Sequence, residues 1–444
     1  MTAVQSSRGC LRCVTKLQQK ICRLDGMADL ARGMSIRANP RNHVSAASSP
    51  WFRWIFIVYV FLVVLIPGSL WGFNPKYVAF LPVFIGAFVL RSRRGSSLKE
   101  ILLLLGMLCM LILWSILPPL YGFTEAYSTA QHLKDFFVLF AGCWIIEVFI
   151  SEGQISPIGF IRLVIYSVST VAMLKLLAFA YAFVMGIPVW DLMATVSEAT
   201  GRHLMSGDVR IEFVSDMLIA NCIFCILCCR RPLKFSTSRT IFLLSLLLLS
   251  ALLSFSRFFW AWTAAALALG WLVAKKEKYH IILAVILGAA VLYYAEPLSI
   301  IVDVRLNSAG TLDSDQVRQD QRVALTKFFM DAPIMGHGLG TFSTKVIREM
   351  DQPYGYELEM QALAGQIGVI GLGALAFLLA IYMRRLFRAD TDALAYRCAI
   401  FALLVIVLAS NFFNPYLTNS TSSLSFGMLM ALADVDPEEG LLEL

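Results

Sequence analysis

The sequence has few charged residues and few histidines. Only 15% of its 444 residues are Asp, Glu, Lys or Arg, whereas 58% are hydrophobic, and histidine occurs 5 times. Soluble domains carry about 25% charged residues, so this composition excludes a large soluble core and indicates a polytopic membrane protein. The net charge of +7 is concentrated in short runs between apolar segments. This arrangement is typical of membrane topology and argues against a nucleic-acid partner.

Features that would support disulfides, metal binding or repeats are also missing. The 10 cysteines fall mostly inside apolar segments, which excludes a disulfide framework. Four of them have a spacing that resembles a metal site: Cys222, Cys225, Cys228 and Cys229. They lie within one apolar segment without further ligands, so we interpret them as small apolar filler. The sequence has no clear internal repeat and no Asp-rich motif, and we expect a chemistry without metal.

Apolar segments long enough to cross a bilayer recur along the chain. A span needs about 20 mainly apolar residues, and the candidate segments are 52–72, 76–91, 100–118, 136–151, 158–184, 213–229, 240–256, 258–274, 280–295, 362–383, 394–412 and 420–433. With the N-terminus in the cytoplasm, the basic runs at 91–94, 230–231, 275–278 and 384–385 all fall on the cytoplasmic side, as the positive-inside rule requires. The sequence therefore predicts an all-α protein with about twelve transmembrane helices and both termini in the cytoplasm.

These spans divide the chain into five predicted parts. Residues 1–50 form a basic cytoplasmic tail, because the first apolar run starts too far into the chain for a cleaved signal peptide. Residues 51–295 hold spans one to nine, 296–361 form a long outward-facing loop, 362–433 hold the last three spans, and 434–444 form a cytoplasmic C-terminal tail. The other segments predicted to face outward are 119–133, 186–212 and the tight turn at Ser256 and Arg257.

The long loop is predicted to fold as a helical subdomain at the membrane surface. Residues 316–330 contain neither Gly nor Pro, with Asp313 or Ser314 as a candidate helix cap, and Pro333 ends the helix. A glycine-rich turn at 336–340 then carries His337. Because the imidazole of a histidine can accept a proton near neutral pH, His337 is a candidate base. The alternative is a loop histidine without a chemical role.

Arginines gather in the predicted outward segments, where the positive-inside rule disfavours them. Arg318 and Arg322 lie one turn apart on the loop helix, Arg257 lies at a turn between two spans, and Arg210 opens another span. Each one alone can be explained by ion pairing with nearby acids or by contact with lipid headgroups. Together they would suit a diphosphate, because guanidinium binds phosphate in bidentate fashion and keeps its charge.

Two charged residues lie within adjacent predicted spans. Lys175 and Asp216 are costly in lipid unless they pair. We interpret them as a structural salt bridge, with a proton relay as the alternative.

Four motifs follow one another in a characteristic order. They are Ser256-Arg257 between two spans, the arginine helix at 318–325, the glycine turn at 333–342 and the Gly-x-x-Gly span opening at 365–371. Together they resemble the O-antigen ligase (WaaL) family, within the wider superfamily that includes O-antigen polymerases. The resemblance covers residues 200–430, and the first half of the chain matches only in its span pattern.

This resemblance implies a glycosyltransferase of the membrane GT-C type in the bacterial inner membrane. Such an enzyme transfers O-antigen from undecaprenyl diphosphate to a sugar hydroxyl of lipid A–core at the periplasmic face, without metal, cofactor or nucleotide sugar. His337 would be the base, and the arginines that would bind the diphosphate are Arg210, Arg257, Arg318 and Arg322. Relatives often carry a His-Asn pair near the position of Glu357, so His337 or Glu357 would serve as the base. Arg305 is a secondary candidate for binding.

Three other functions compete with this interpretation. An O-antigen polymerase would use the same donor with a second undecaprenyl-linked glycan as acceptor, and a protein O-oligosaccharyltransferase would use a serine-bearing protein. A transporter or flippase for lipid-linked sugars would use Lys175 and Asp216 as coupling residues. A transporter is typically lined by polar residues at the midplane of several spans, whereas here the cations gather in the outward segments, which favours the ligase.

Overall fold

The structure is a computed structural model that describes residues 50–66, 74–94, 98–123, 125–186, 213–254, 256–274, 309–347, 352–387, 394–412 and 416–435. In these ranges the regular structure is all helical, without a β-strand. The α-helices are α1 (Pro50–Leu65), α2 (Pro75–Arg94), α3 (Leu98–Leu120), α4 (Ala126–Ser151), α5 (Pro157–Met185), α6 (Ile219–Cys228), α7 (Thr237–Leu253), α8 (Arg257–Val273), α9 (Ala309–Asp331), α10 (Glu359–Tyr382), α11 (Leu394–Ser410) and α12 (Ser420–Ala433). Short 3-10 helices precede α6 (Val214–Leu218) and follow α10 (Met383–Phe387).

The helices follow the apolar segments of the sequence. Every predicted span overlaps a helix except 280–295, which lies outside the described residues. Both predicted tails also lie outside them, apart from Pro50, Asp434 and Val435. Within the described ranges, three helices are long and apolar enough to cross a membrane by themselves: Pro75–Ser92, Pro157–Ala182 and Glu359–Tyr382. The chain is therefore a helical membrane protein, and the full set of about twelve spans stays a prediction.

The predicted loop helix is α9, but it starts earlier than expected. It begins at Ala309 rather than near residue 316, so the proposed caps Asp313 and Ser314 lie inside the helix and that prediction was wrong. It ends at Asp331, ahead of Pro333, as predicted.

Helix α12 lies at the centre of the bundle, where every residue from Ser420 to Leu432 is buried. Small side chains allow this close packing. A Cβ added to Gly142 of α4 would lie 2.5 Å from the Ser423 hydroxyl, and one added to Gly427 would lie 2.7 Å from Ile146. Small residues spaced four apart are the usual means by which membrane helices approach each other closely.

Lys175 and Asp216 form an ion pair inside the bundle. The Lys175 ammonium lies 2.9 Å from an Asp216 carboxylate oxygen and 2.9 Å from the Ser250 carbonyl oxygen. The same carboxylate oxygen accepts a hydrogen bond from the Phe213 amide at 3.0 Å. The pair thus joins α5, α7 and the start of the 3-10 helix before α6, and its geometry is that of a structural salt bridge.

The two ends of the bundle carry different groups. At one end, the Arg91 guanidinium donates to Glu152 at 2.7 Å and that of Arg162 donates to the Leu233 carbonyl at 2.9 Å. These residues lie in or near the basic runs at 91–94 and 230–231. The opposite end holds the described parts of the segments that were predicted to face outward, and the candidate site is built there; residues 187–212, 296–308 and 348–351 lie outside the described residues.

Candidate functional site

The glycine-rich turn is wedged between three helices. Gly336, Gly338 and Gly340 have φ angles of 70°, 103° and 78°, a region that other residues rarely adopt. An added Cβ would lie 2.3 Å from the backbone of α10 at Gly336, 2.3 Å from Pro118 of α3 at Gly338, and 2.5 Å from the backbone of α4 at Gly340. Three glycines are therefore needed here for conformation and for space.

Helix α10 is interrupted where it meets this turn. Gly368 has φ 62° and ψ −173°, so the helix is broken at that residue. The amides after the break turn to the segment that follows α9: Val369 donates to the Pro333 carbonyl at 2.9 Å, and Ile370 donates to the Ile334 carbonyl at 3.1 Å. In an unbroken helix these two amides would bond to carbonyls one turn earlier.

The carbonyls left over by the break accept hydrogen bonds from the glycine turn. The His337 amide donates to the Gly365 carbonyl at 3.0 Å, and the Gly338 amide donates to the Gln366 carbonyl at 2.7 Å. The broken helix and the turn thus exchange backbone hydrogen bonds, and each satisfies the polar groups of the other. The turn is consequently held by main-chain bonds rather than by side chains alone.

Trp114 of α3 closes the third side of the turn. Its indole N–H lies 2.7 Å from the Met335 carbonyl and 3.0 Å from the Ile367 carbonyl. Its own carbonyl accepts from the Leu339 amide at 2.8 Å. One residue therefore ties α3 both to the turn and to the break in α10.

The His337 ring is buried and held in one orientation. Its Nδ1 lies 3.2 Å from the Gly365 carbonyl oxygen. A carbonyl can only accept, so Nδ1 carries the hydrogen and the lone pair of the neutral ring is on Nε2. The ring stacks on Phe328 of α9, with centroids 4.3 Å apart and planes at 11°, and Tyr121 lies against it at 5.1 Å. The geometry gives His337 one fixed basic nitrogen.

His132 of α4 supports the other side of the turn and was not predicted to do so. Its Nδ1 accepts a hydrogen bond from the Gly340 amide at 3.1 Å, and its ring stacks on Tyr354 at 4.7 Å. Burial lowers the pKa of His132 to about 3, so the ring is neutral and can accept. The sequence placed His132 in an outward segment, but its bond to a distant backbone amide leaves no signal in the sequence.

The chain that returns from the turn to α10 is fixed by two tyrosines. The Tyr356 hydroxyl accepts from the Ser343 amide at 2.9 Å and donates to the Ser343 carbonyl at 3.3 Å. Burial raises the pKa of Tyr356 to about 12, so the hydroxyl keeps the proton that it donates. The Tyr354 hydroxyl donates to Asp135 of α4 at 3.3 Å.

Arg318 and Glu357, both candidate site residues, are brought together. The Arg318 Nε lies 2.6 Å from a Glu357 carboxylate oxygen, which joins α9 to the start of α10. Since that carboxylate accepts from the guanidinium, Glu357 is less suited than His337 to take a proton from a substrate. Arg322, one turn further along α9, is exposed.

Arg257 lies at the same end of the bundle. It is exposed and begins α8. On this helix the Phe259 ring packs against Tyr416 at 5.5 Å, and the next residue, Leu417, donates its amide to Glu359 of α10 at 2.7 Å. The starts of α8 and α10 therefore meet the same short segment. Arg210 and Arg305 lie outside the described residues.

The site offers a base and cations. In the part of the chain that the structure describes, no group of three or more His, Cys, Asp or Glu residues could hold a metal ion, and this includes the thiols of α6. No protein-family model matches the chain, and no curated protein is significantly similar to it in sequence. Any assignment of function therefore depends on the residues and their geometry.

Proposed function

We propose that the chain is a membrane glycosyltransferase of the O-antigen ligase type. It moves a glycan from undecaprenyl diphosphate to a sugar hydroxyl of lipid A–core at the periplasmic face of the inner membrane. The observation that carries the proposal is the geometry of His337, whose Nδ1 is committed to the Gly365 carbonyl and whose Nε2 is left as a base. A group of this kind is needed to activate a hydroxyl as a nucleophile.

The reaction proceeds in one displacement. His337 Nε2 takes the proton of the acceptor hydroxyl while that oxygen forms a bond to the anomeric carbon of the donor glycan. The bond between this carbon and the diphosphate oxygen breaks, and undecaprenyl diphosphate departs with the bonding electrons. The exposed guanidinium groups of Arg257 and Arg322 are suited to stabilise the charge of the leaving diphosphate. Arg210 and Arg305 are proposed to assist them.

Arg318 acts in this proposal first as a positioning residue. Its 2.6 Å bond to Glu357 holds α9 against α10. Phe328, further along α9, stacks on His337 at 4.3 Å. The ion pair thus fixes the helix that presents both the stacking ring and the neighbouring Arg322 to the site.

The transporter alternative is less well supported. Its proposed coupling residues, Lys175 and Asp216, are tied to each other and to the backbone of two neighbouring segments. A coupling pair has to exchange partners during transport, and these groups are buried with their partners in place. The polymerase and protein-glycosylating alternatives share the donor chemistry and differ only in the acceptor.

A deletion strain tests the proposal. We expect cells without this protein to accumulate polymerised, lipid-linked O-antigen while their lipopolysaccharide lacks it, and the wild-type chain to restore transfer.

His337→Gln should reduce transfer by about 10²- to 10⁴-fold, the usual contribution of a general base. Lys327→Gln is the matched control, because Lys327 is exposed on α9 and outside the site.

The outcomes separate the competing functions. Lipopolysaccharide capped with a single repeat in the deletion strain would assign the protein as a polymerase instead. Full transfer by His337→Gln, at a membrane level equal to that of Lys327→Gln, would refute the role of His337.

A further inference from the structure

Large apolar side chains are exposed beside the glycine turn. Met330 and Ile334, at and after the end of α9, are 65% and 64% exposed, and Val369 and Ile370 of α10 are 59% and 50% exposed. The hydrogen bonds from Val369 and Ile370 to the turn place the second pair next to the first. These four exposed apolar side chains, with the exposed Asp331 between Met330 and Ile334 in the chain, are what we call the turn surface.

The turn surface lies halfway along a candidate membrane span. Helix α10, Glu359–Tyr382, is one of the three helices long and apolar enough to cross a bilayer among the described residues. At 1.5 Å per residue, Ile370 lies about 16 Å from Glu359 and about 21 Å from the exposed Arg384 beyond the other end of the helix. The hydrocarbon layer is about 30 Å thick, so Ile370 falls inside it. Ile334, bonded to Ile370, lies at the same depth.

The backbone of the turn meets the condition for this location. Irregular backbone occurs at membrane depth only where its polar groups have protein partners or line a water-filled cavity. Each amide from Gly336 to Gly340 has an acceptor. The amides of Gly336, His337, Gly338 and Leu339 donate to the carbonyls of Ala332, Gly365, Gln366 and Trp114, respectively, and the amide of Gly340 donates to the His132 ring. The turn therefore needs no water to satisfy these donors.

The direction of α9 agrees with a descent into the bilayer. Arg318 of α9 meets Glu357 beside the start of α10, whereas Ile334 meets Ile370 at the middle of α10. The two helices thus run side by side in the same direction, and the chain between them must return to the outer end. The upper part of α9 exposes polar side chains such as Gln316 and Asp320. Its lower end exposes Met330 and, just beyond the helix, Ile334, together with the charged Lys327 and Asp331.

We propose that the lower end of α9 and the glycine turn form a re-entrant element, and that the turn surface contacts the acyl chains of bilayer lipids. The segment that carries His337 would then lie within the membrane rather than on its surface. Lipid is the occupant that fits, because the turn surface continues the exposed apolar face of α10 towards Phe377. The proposal concerns position only and holds whether or not the protein transfers glycans.

Nitroxide labelling of the full chain in phosphatidylcholine nanodiscs tests this proposal. A spin label is attached at Ile334→Cys, at Phe377→Cys as the lipid reference and at Gln316→Cys as the water reference. Its relaxation by molecular oxygen is compared with its relaxation by a water-soluble nickel chelate. The parent chain for all three carries serine in place of Cys10, Cys13, Cys22, Cys109 and Cys398, and its residual label is subtracted.

We expect the label at residue 334 to behave like that at 377, with strong relaxation by oxygen and weak relaxation by nickel, and the label at 316 to show the reverse. Nickel accessibility at 334 equal to that at 316 would overturn the proposal and place the turn in water. Protection from both reagents at 334 would also overturn it, because protein rather than lipid would then cover the turn surface.

Discussion

Two buried histidines bind opposite sides of the same glycine turn, and they use the same ring nitrogen in opposite ways. His132 accepts a hydrogen bond at Nδ1 from the Gly340 amide, so its hydrogen is on Nε2. His337 donates from Nδ1 to the Gly365 carbonyl, so its lone pair is on Nε2. The backbone group that each ring meets selects the tautomer.

This difference shows which of the two rings retains a nitrogen that can act as a base. His132 uses its basic nitrogen to accept a hydrogen bond from the backbone, and it thereby keeps the turn attached to α4. His337 uses its N–H to donate a hydrogen bond to the backbone, and it retains a basic nitrogen that can bind another molecule. The structural histidine and the proposed catalytic histidine are therefore distinguished by hydrogen-bond direction, whereas both rings are buried and both stack on an aromatic ring.

The contrast between the two histidines is lost most completely if the glycine turn is displaced from both of them. Gly338→Ala adds a Cβ that would lie 2.3 Å from Pro118 at a φ of 103°. We expect a loss of about 3 kcal/mol or more in the free energy of unfolding, from steric overlap and backbone strain together. Thermal unfolding in detergent micelles measures this effect.

Gly122→Ala is the matched control for that variant. Gly122 has a φ of 79° but nothing within 4 Å of its added Cβ. Its cost should be about 1 kcal/mol, from the left-handed conformation alone. Equal losses for the two alanine variants would show that the wedge between the helices contributes nothing.

Low pH should reduce the stability of the folded protein through His132. Burial lowers the pKa of His132 to about 3, below the ~6.5 of an unfolded histidine. The unfolded chain therefore binds more protons between these values, and the stability that the neutral ring contributes is present above pH ~6.5 and lost as the pH falls towards 3. At pH 5 this one group would cost about 2 kcal/mol.

His132→Asn removes the titration and keeps an acceptor for the Gly340 amide. Thermal unfolding measured at several pH values should show a smaller loss between pH 7 and 5 for His132→Asn than for wild type. Identical pH profiles would mean that His132 is not the buried group responsible.

The smallest effect is expected on the His337 side, at the ion pair that holds α9 to α10. In a double-mutant cycle of Arg318→Ala and Glu357→Ala, we expect a coupling of about 1 kcal/mol, because Arg318 is 27% exposed and water screens part of the attraction. If the pair only positions α9, the two single variants should lose transfer activity equally and the double variant should lose no more. A much larger loss for Arg318→Ala would indicate that this guanidinium also binds the diphosphate.

Hydropathy located the apolar helices of the described residues, because a segment that crosses a membrane must be mainly apolar. The loop helix and its end before Pro333 were also predictable from the local pattern. The break at Gly368 was visible in the sequence only as one glycine among several. Its cause is a partner segment that precedes it by a whole loop, and such pairing leaves no periodic signal.

The arrangement of the site was predictable only in part. Arg318, Glu357 and His337 were each named as candidates, but the partners they have in the structure were not predicted, since hydrogen bonds between distant segments depend on the packed backbone. The long loop was predicted to lie on the membrane surface because its average composition is polar. The few residues from Met330 to Gly340 differ from that average, and they contact the middle of α10.

The interruption at Gly368 also constrains how the protein is assembled. A newly synthesised α10 that entered the bilayer alone could pair Val369 and Ile370 with the carbonyls of Gly365 and Gln366, as an unbroken helix does. The turn is made before α10 emerges from the ribosome, and its two amides and two carbonyls lack these partners until α10 arrives. The break in α10 and the docking of the turn must therefore form together.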